Sequence, residues 1–151
     1  MSEAIAEARK AEEKGEVPVG AVVEKAGEIV GRGHNLTETL KDPTAHAEIL
    51  AIRDAAKTLG GWRLSGCSVY VTCEPCAMCA GAMVLARVKK AYIGAPDPKS
   101  GACGSVFNIA QEQRLNHYIE IETGVMRLEC SQMMKGFFKK LRNNSTEEVN
   151  R

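Results

Sequence analysis

From Ser2 to Lys14, Ile5, Ala8, Ala11 and Glu12 recur at the spacing of one helical face, and Gly15 just beyond predicts the helix end. Val17 to Lys25 and Glu28 to His34 then read as a β-hairpin turning at Ala26-Gly27. The first of these strands is nearly all apolar and is therefore expected inside its sheet. A polar loop follows. Thr44 to Leu59 predicts a second helix that buries Ile49, Leu50, Ile52 and Ala56 and stops at Gly60-Gly61. Ser68 to Thr72 is a short β-rich run, Pro75 opens a third helix at a favoured first-turn position, and Val88 to Ala95 is another strand, which makes a β-α-β unit. After a loop from Pro96 to Ser105 come a strand from Tyr118 to Glu122 and a long helix from Val125 to about Arg142. Helices alternating with mostly parallel strands imply a three-layer α/β/α sandwich around one five-stranded mixed sheet. The domain is expected over 1–142, with 143–151 a polar, disordered tail.

Composition narrows the classes. The 151 residues suit one domain, large enough to build a core without staples. An apolar fraction of 44% and a charged fraction of 26% are ordinary for a globular chain, and no apolar run approaches the ~20 residues of a membrane span. Met1-Ser2-Glu3 lacks the basic and apolar regions of a secretory signal, so a cytoplasmic location is expected. Six cysteines, three of them crowded at Cys73, Cys76 and Cys79, suit metal binding in a reducing compartment better than disulfides. A net charge of +1 provides no molecule-wide attraction for a polyanion. Any nucleic-acid affinity must then come from a local cluster such as Lys135, Lys139, Lys140 and Arg142.

The candidate chemistry sits where strands give way to helices. Cys76 and Cys79, three apart at a helix start, converge on one point, where unpaired amides and the helix dipole favour thiolates. His46 stands at the preceding helix start, far enough upstream for a helix, a turn and a strand to bring the chain back to the same sheet edge. One imidazole and two thiolates make a three-ligand zinc site, and such sites keep a fourth position open for water. Glu48 is the expected proton carrier: the metal lowers the pKa of bound water and the carboxylate takes up and returns the proton. Residues two apart on a helix point about 200° away from each other. His46 and Glu48 can therefore face one ion only if His46 lies at an irregular helix entry, for which Thr44 is the expected N-cap.

His46-Ala47-Glu48 followed by Pro75-Cys76-Ala77-Met78-Cys79 matches the H-x-E and P-C-x-x-C signature of the zinc deaminases. With these residues the chain resembles the cytidine and deoxycytidylate deaminase superfamily and, more narrowly, the bacterial tRNA-specific adenosine deaminases. Also similar are Glu16-Val17-Pro18-Val19-Gly20-Ala21-Val22, Asp42-Pro43-Thr44-Ala45-His46-Ala47-Glu48, the loop Asp97-Pro98-Lys99-Ser100-Gly101-Ala102-Cys103-Gly104-Ser105, Leu115-Asn116-His117 and Phe137-Phe138. Cys73 departs from the family, standing where Leu is common.

The resemblance implies a cytidine deaminase-like fold, one Zn2+ per subunit, no organic cofactor and a homodimer. It implies hydrolysis of adenosine to inosine at the wobble position of a tRNA anticodon stem-loop, with attack at the base C6 and Glu48 shuttling protons. By the same carry-over Asn35 binds the base, Ala45 adds a backbone contact, Asp97, Lys99 and Ser100 line the path of flanking nucleotides, and Phe138 and Arg142 touch the anticodon loop.

Taken alone, His46-Ala47-Glu48 is an ordinary polar helix start; the paired cysteine motif is what makes it a metal site. Cys67, Cys73, Cys103 and Cys130 read as buried small apolar residues, and His34 and His117 as hydrogen-bonded structural groups, with an approach of His117 to the substrate as the alternative. Phe137 and Phe138 cannot both face the core, which leaves one free for contact. Asn35 suits adenine but does not by itself exclude cytosine or guanine, so a free-base or nucleoside deaminase on the same scaffold stands as the alternative. An iron–sulfur protein using Cys73, Cys76 and Cys79 would need a fourth cysteine and a proline where Met83 and Val84 stand. A structural zinc module would need a fourth protein ligand and leave Glu48 expendable.

Overall fold

The computed structural model describes residues 1–149. Five strands, β1 (Gly20–Lys25), β2 (Glu28–His34), β3 (Ser68–Cys73), β4 (Lys90–Ala95) and β5 (Glu120–Thr123), form one sheet in the order β2-β1-β3-β4-β5. β1 runs antiparallel to β2 and β3, whereas β3, β4 and β5 are parallel, so the sheet is mixed as expected. The apolar β1 is interior, with its first four residues buried. Helices α1 (Ser2–Glu13) and α5 (Arg127–Val149) cover one face. Helices α3 (Ala47–Leu59) and α4 (Ala77–Leu85) cover the other, which completes the α/β/α sandwich.

The larger core lies on the α3 and α4 side, where Leu64, Met83, Val88, Ile93 and Ile119 are fully buried. A smaller cluster of Ile5, Ala95 and Cys130 seals α1 and α5 to the sheet. The residues expected to form the core face of α3 are only partly buried; the fully buried stripe is Ala47, Ala51 and Ala55, one turn apart. The reason lies in β2. Gly31 and Gly33 present no side chain, so α3 settles directly on the strand, and a Cβ at Gly33 would stand 2.6 Å from the Ala51 backbone nitrogen. Only alanine fits opposite.

Gly33→Ala is therefore expected to push α3 off the sheet. Overpacking of this kind costs about 1–3 kcal/mol, or a thermal midpoint lower by about 2–12 °C at this size. A melting curve matching the wild type would show that the close approach carries no such cost.

Several boundaries differ from their expected places: β1, β4 and β5 begin two or three residues later, at Gly20, Lys90 and Glu120, and the helices differ as follows. A short helix, α2 (Thr37–Leu40), occupies part of the expected polar loop. Thr44 does not cap α3: its amide and hydroxyl both bond Asp42 Oδ1, at 2.8 and 2.7 Å, and the helix begins at Ala47. Pro75 likewise precedes α4 rather than opening it, since the first helical residue is Ala77. At the other end α5 continues past Arg142 to Val149. There Ser145 and Thr146 bond back to the carbonyls of Leu141 and Arg142 at 3.0 and 2.9 Å, the contact such residues make when they sit inside a helix. The tail expected over 143–151 thus starts as helix, and 150–151 lie outside the described residues.

Candidate active site

Two helix entries meet at the carboxyl ends of the parallel strands, and each begins with an extended residue. His46 is the N-cap of α3, with φ −77° and ψ 151°, and Cys76 is the N-cap of α4, with φ −73° and ψ 177°. Their carbonyls already accept the first helical hydrogen bonds, from Leu50 at 3.1 Å and Ala80 at 2.9 Å. Their side chains therefore leave the helix ends instead of following the helical rise. The irregular entry that His46 and Glu48 require is present, supplied by His46 itself rather than by Thr44.

The donor atoms of His46, Cys76 and Cys79 lie within 4.8 Å of one another. His46 Nδ1 is 3.6 Å from Cys76 Sγ and 3.5 Å from Cys79 Sγ. A tetrahedral zinc with bonds of ~2.0 Å to nitrogen and ~2.3 Å to sulfur sets that separation at about 3.5 Å, so the donor set fits the ion. Cys73 is not part of the cluster, and no fourth histidine, cysteine or carboxylate joins it among the described residues. This removes the observation that an iron–sulfur site or a closed structural site would need.

Electrostatics at the cluster follow from its crowding. The Cys76 thiol is pulled down to about 4, chiefly by the hydrogen bond from the Cys79 thiol and then by His46. The Cys79 thiol is pushed up because it donates to Cys76 and is buried. His46 is raised by its hydrogen bond with Cys76. Glu48, the second residue of α3, is 4% exposed; burial pushes its carboxyl above the usual range, while its Oε2 accepts the Cys79 thiol at 3.4 Å. A carboxyl group held out of water beside a three-donor cluster is equipped to carry a proton.

A cavity of about 320 Å3 opens over the cluster, lined by His46, Glu48, Cys76, Asn35, Asp97, Ser100 and Phe138 among others. That volume suits one base. A neighbouring groove of about 640 Å3 shares Asp97, Ser100 and Phe138 with it and continues along Lys99, Lys135 and Arg142. The fold thus brings Asn35, Asp97, Ser100 and Phe138 to one mouth, with Lys99 and Arg142 on the outer groove. Ala45 lies behind the wall: it is 1% exposed, its carbonyl accepts the Leu36 amide at 3.0 Å and its own amide donates to Asp42. Phe138 is the half-exposed ring of the Phe137-Phe138 pair.

Cys67, Cys73, Cys103 and Cys130 are buried free thiols, and His117 Nε2 bonds the Val88 carbonyl at 2.6 Å. His34 bonds Glu7 at 2.9 Å. The thiols are buried and the histidines hydrogen-bonded, as their sequence context predicts, and Cys73 also lines the cavity and the groove beside it.

Sequence reasoning missed two buried carboxylates beside the cavity. Glu16, 1% exposed, accepts the amides of Glu38 and Thr39 and the Thr37 hydroxyl, at 3.3, 2.6 and 3.5 Å. Burial opposes its ionisation, but these bonds prevail and hold it below the usual carboxylate range. Its effect is to fix the chain just after Asn35, whose Oδ1 accepts the Thr37 amide at 3.3 Å while Nδ2 donates to the Val17 carbonyl at 3.4 Å. Glu74 does the equivalent for the opposite wall. For Glu74 the available signal was a carboxylate inside the otherwise apolar run Cys73-Glu74-Pro75-Cys76, where an acid is kept only if something bonds it; Glu16, which follows the polar Glu12-Glu13-Lys14-Gly15, carries no such signal.

Among α/β/α sandwiches, donors of this kind at two adjoining helix entries, next to a buried acid, mark the nucleobase deaminases. Comparison with known proteins agrees and narrows the class. The MafB19-like deaminase family matches residues 1–142. The tRNA-specific adenosine deaminase of Bacillus subtilis is 56% identical over 142 residues, covering 94% of this chain and 88% of its own length. That of Aquifex aeolicus is 52% identical, covering 93% of each. A solved structure from work on A-to-I editing by tRNA:A34 deaminases at the wobble position superposes with a TM-score of 0.83 at 43% identity, over 86% of this chain and 94% of the other. Guanine deaminase from Nitrosomonas europaea, at 23% identity and a TM-score of 0.77, shares the fold. The chain belongs to the tRNA-specific adenosine deaminase family.

Proposed function

We propose that this protein is a zinc-dependent hydrolytic deaminase that converts adenosine to inosine at the wobble position of a tRNA anticodon. The observation that carries the reading is the cluster of His46, Cys76 and Cys79 beside buried Glu48, under a base-sized cavity. Relatives at 56% and 52% identity that bear the name tRNA-specific adenosine deaminase support the substrate.

His46, Cys76 and Cys79 would hold one Zn2+ per subunit, and the chemistry such an ion supplies is a water molecule acidified toward neutral pH. Glu48 would take one proton of a water there and pass it to the ring nitrogen, then take the second proton from the hydroxyl now bonded to the base C6 and pass it to the departing amine. Water and adenosine thus become inosine and ammonia. Asn35, with its amide fixed at both ends, keeps one N–H free to meet an acceptor on the base. Asp97, Ser100 and Lys99 border the flanking nucleotides, and Phe138 and Arg142 offer a stacking face and a phosphate partner on the outer groove. The enzyme acts as a homodimer in the cytoplasm, where tRNA is its partner. No helix among the described residues is long and apolar enough to cross a membrane.

The test is mass analysis of an anticodon stem-loop after incubation with the zinc-loaded protein, with free guanine and cytidine assayed in parallel. Replacement of the amine by a carbonyl oxygen adds about one mass unit to a single adenosine. An unchanged stem-loop with turnover of guanine or cytidine would assign the site to a free base or nucleoside instead.

A further inference from the structure

Glu74 stands between Cys73 and Pro75, two residues before Cys76, and is 6% exposed. Its carboxylate does not join the donor cluster. It turns instead to the loop that follows β4. Oε1 accepts the Asp97 amide at 3.4 Å and the Ser105 hydroxyl; Oε2 accepts the amides of Cys103 and Ser105, both at 3.1 Å. These four donors come from both ends of one loop, and none is a basic side chain. Between those ends Asp97 organises the tip: Oδ1 accepts the amides of Lys99 and Ser100 at 3.0 and 3.2 Å, and Oδ2 accepts the Ser100 hydroxyl at 2.6 Å.

The loop also lies against the turn that carries Cys76. The Ala102 amide donates to the Pro75 carbonyl at 2.8 Å, Gly101 forms a β-bridge with Cys76, and Glu74's own amide donates to Ala95 at 2.8 Å. Gly101 is the residue that permits this, because a Cβ there would run into the Glu74 carboxylate.

We infer that Glu74 is a positioning residue: its buried carboxylate clips both ends of the 97–105 loop to the cysteine turn, fixing the substrate wall of Asp97, Lys99 and Ser100 relative to the reacting base. The inference rests on the proposed reading of this wall as the border of the flanking nucleotides. A carboxylate is required because all four partners are donors, and a carboxylate offers acceptor sites only.

Glu74→Gln tests this with little change of volume. The better orientation of the new amide keeps its oxygen toward the Cys103 and Ser105 amides and its NH2 toward the Ser105 hydroxyl, which can turn to accept. The Asp97 amide is then left facing a donor. The expected result on the zinc-loaded enzyme is a KM for the anticodon stem-loop raised about tenfold, equivalent to ~1.4 kcal/mol, with kcat changed less than about threefold and metal content unchanged. Ser105→Ala, which removes one of the four bonds, should move KM the same way by a smaller factor. A merely structural role would instead lower kcat, through loss of folded enzyme, at unchanged KM. That pattern, or kinetics identical to wild type, overturns the inference.

Amide hydrogen exchange separates the inference from the function it rests on. Faster exchange at Asp97 in Glu74→Gln supports the clip, and exchange identical to wild type overturns it. If wild-type enzyme makes no inosine from the stem-loop, the proposed function fails while the exchange experiment still decides what Glu74 holds.

Discussion

Glu48→Gln is expected to lower kcat for deamination by about 10²–10⁴-fold, the usual worth of a positioned proton carrier, while leaving the fold, the metal content and KM near their wild-type values. Glu48 lies in the first turn of α3 and is 4% exposed, so the side chain is held by its surroundings and glutamine can occupy the same space. The amide can still meet the Cys79 thiol that Glu48 Oε2 accepts at 3.4 Å. What it cannot do is bind and release a proton near neutral pH. Substrate shape is unaffected, so the loss belongs in kcat rather than KM. Steady-state kinetics together with elemental analysis for zinc separate the two effects. A variant that deaminates at the wild-type rate would show that some other group moves the proton.

Removal of the metal is expected to cost more. Stripping with a chelator should take activity down by more than about 10⁴-fold, since water without the ion returns from a pKa of about 7 to one of about 15.7. Readdition of Zn2+ should restore the wild-type protein but not Cys79→Ala. Cys79 is fully buried, and replacing it removes one of only three donors in the cluster. The chelated protein should also melt earlier, because an ion present at about a thousand times its dissociation constant adds about 4 kcal/mol to the folded state. Full activity in a sample free of metal by elemental analysis would exclude this arrangement of roles.

Most of the architecture follows from periodicity. The strand Glu28–His34 has the bounds read for the second arm of the hairpin, which turns at Ala26-Gly27 through positive φ at both residues, and β3, α4 and β4 form the expected parallel unit. Where the reading of α3 departs, a neighbour accounts for it. The start moved to Ala47 because Thr44 is engaged with Asp42, a local alternative that a helix-start pattern does not weigh. The buried face moved from the large aliphatic residues to Ala47, Ala51 and Ala55 because Gly31 and Gly33, a hairpin strand away, let the helix sit closer than a side chain would allow.

The sequence by itself determined the donor set, one imidazole and two thiols, since donor types and their spacing at helix starts are local properties of the chain; Glu48 beside them is the proposed proton carrier. Tertiary structure alone decided how those groups are aimed and what holds the walls around them. The loops pinned by Glu16 and Glu74, and the bridge that sets Cys76 against Gly101, depend on bonds between residues far apart in sequence. Such bonds carry no periodic signal. They form only once the sheet has brought their partners within hydrogen-bonding distance and burial has left each acid no other source of donors.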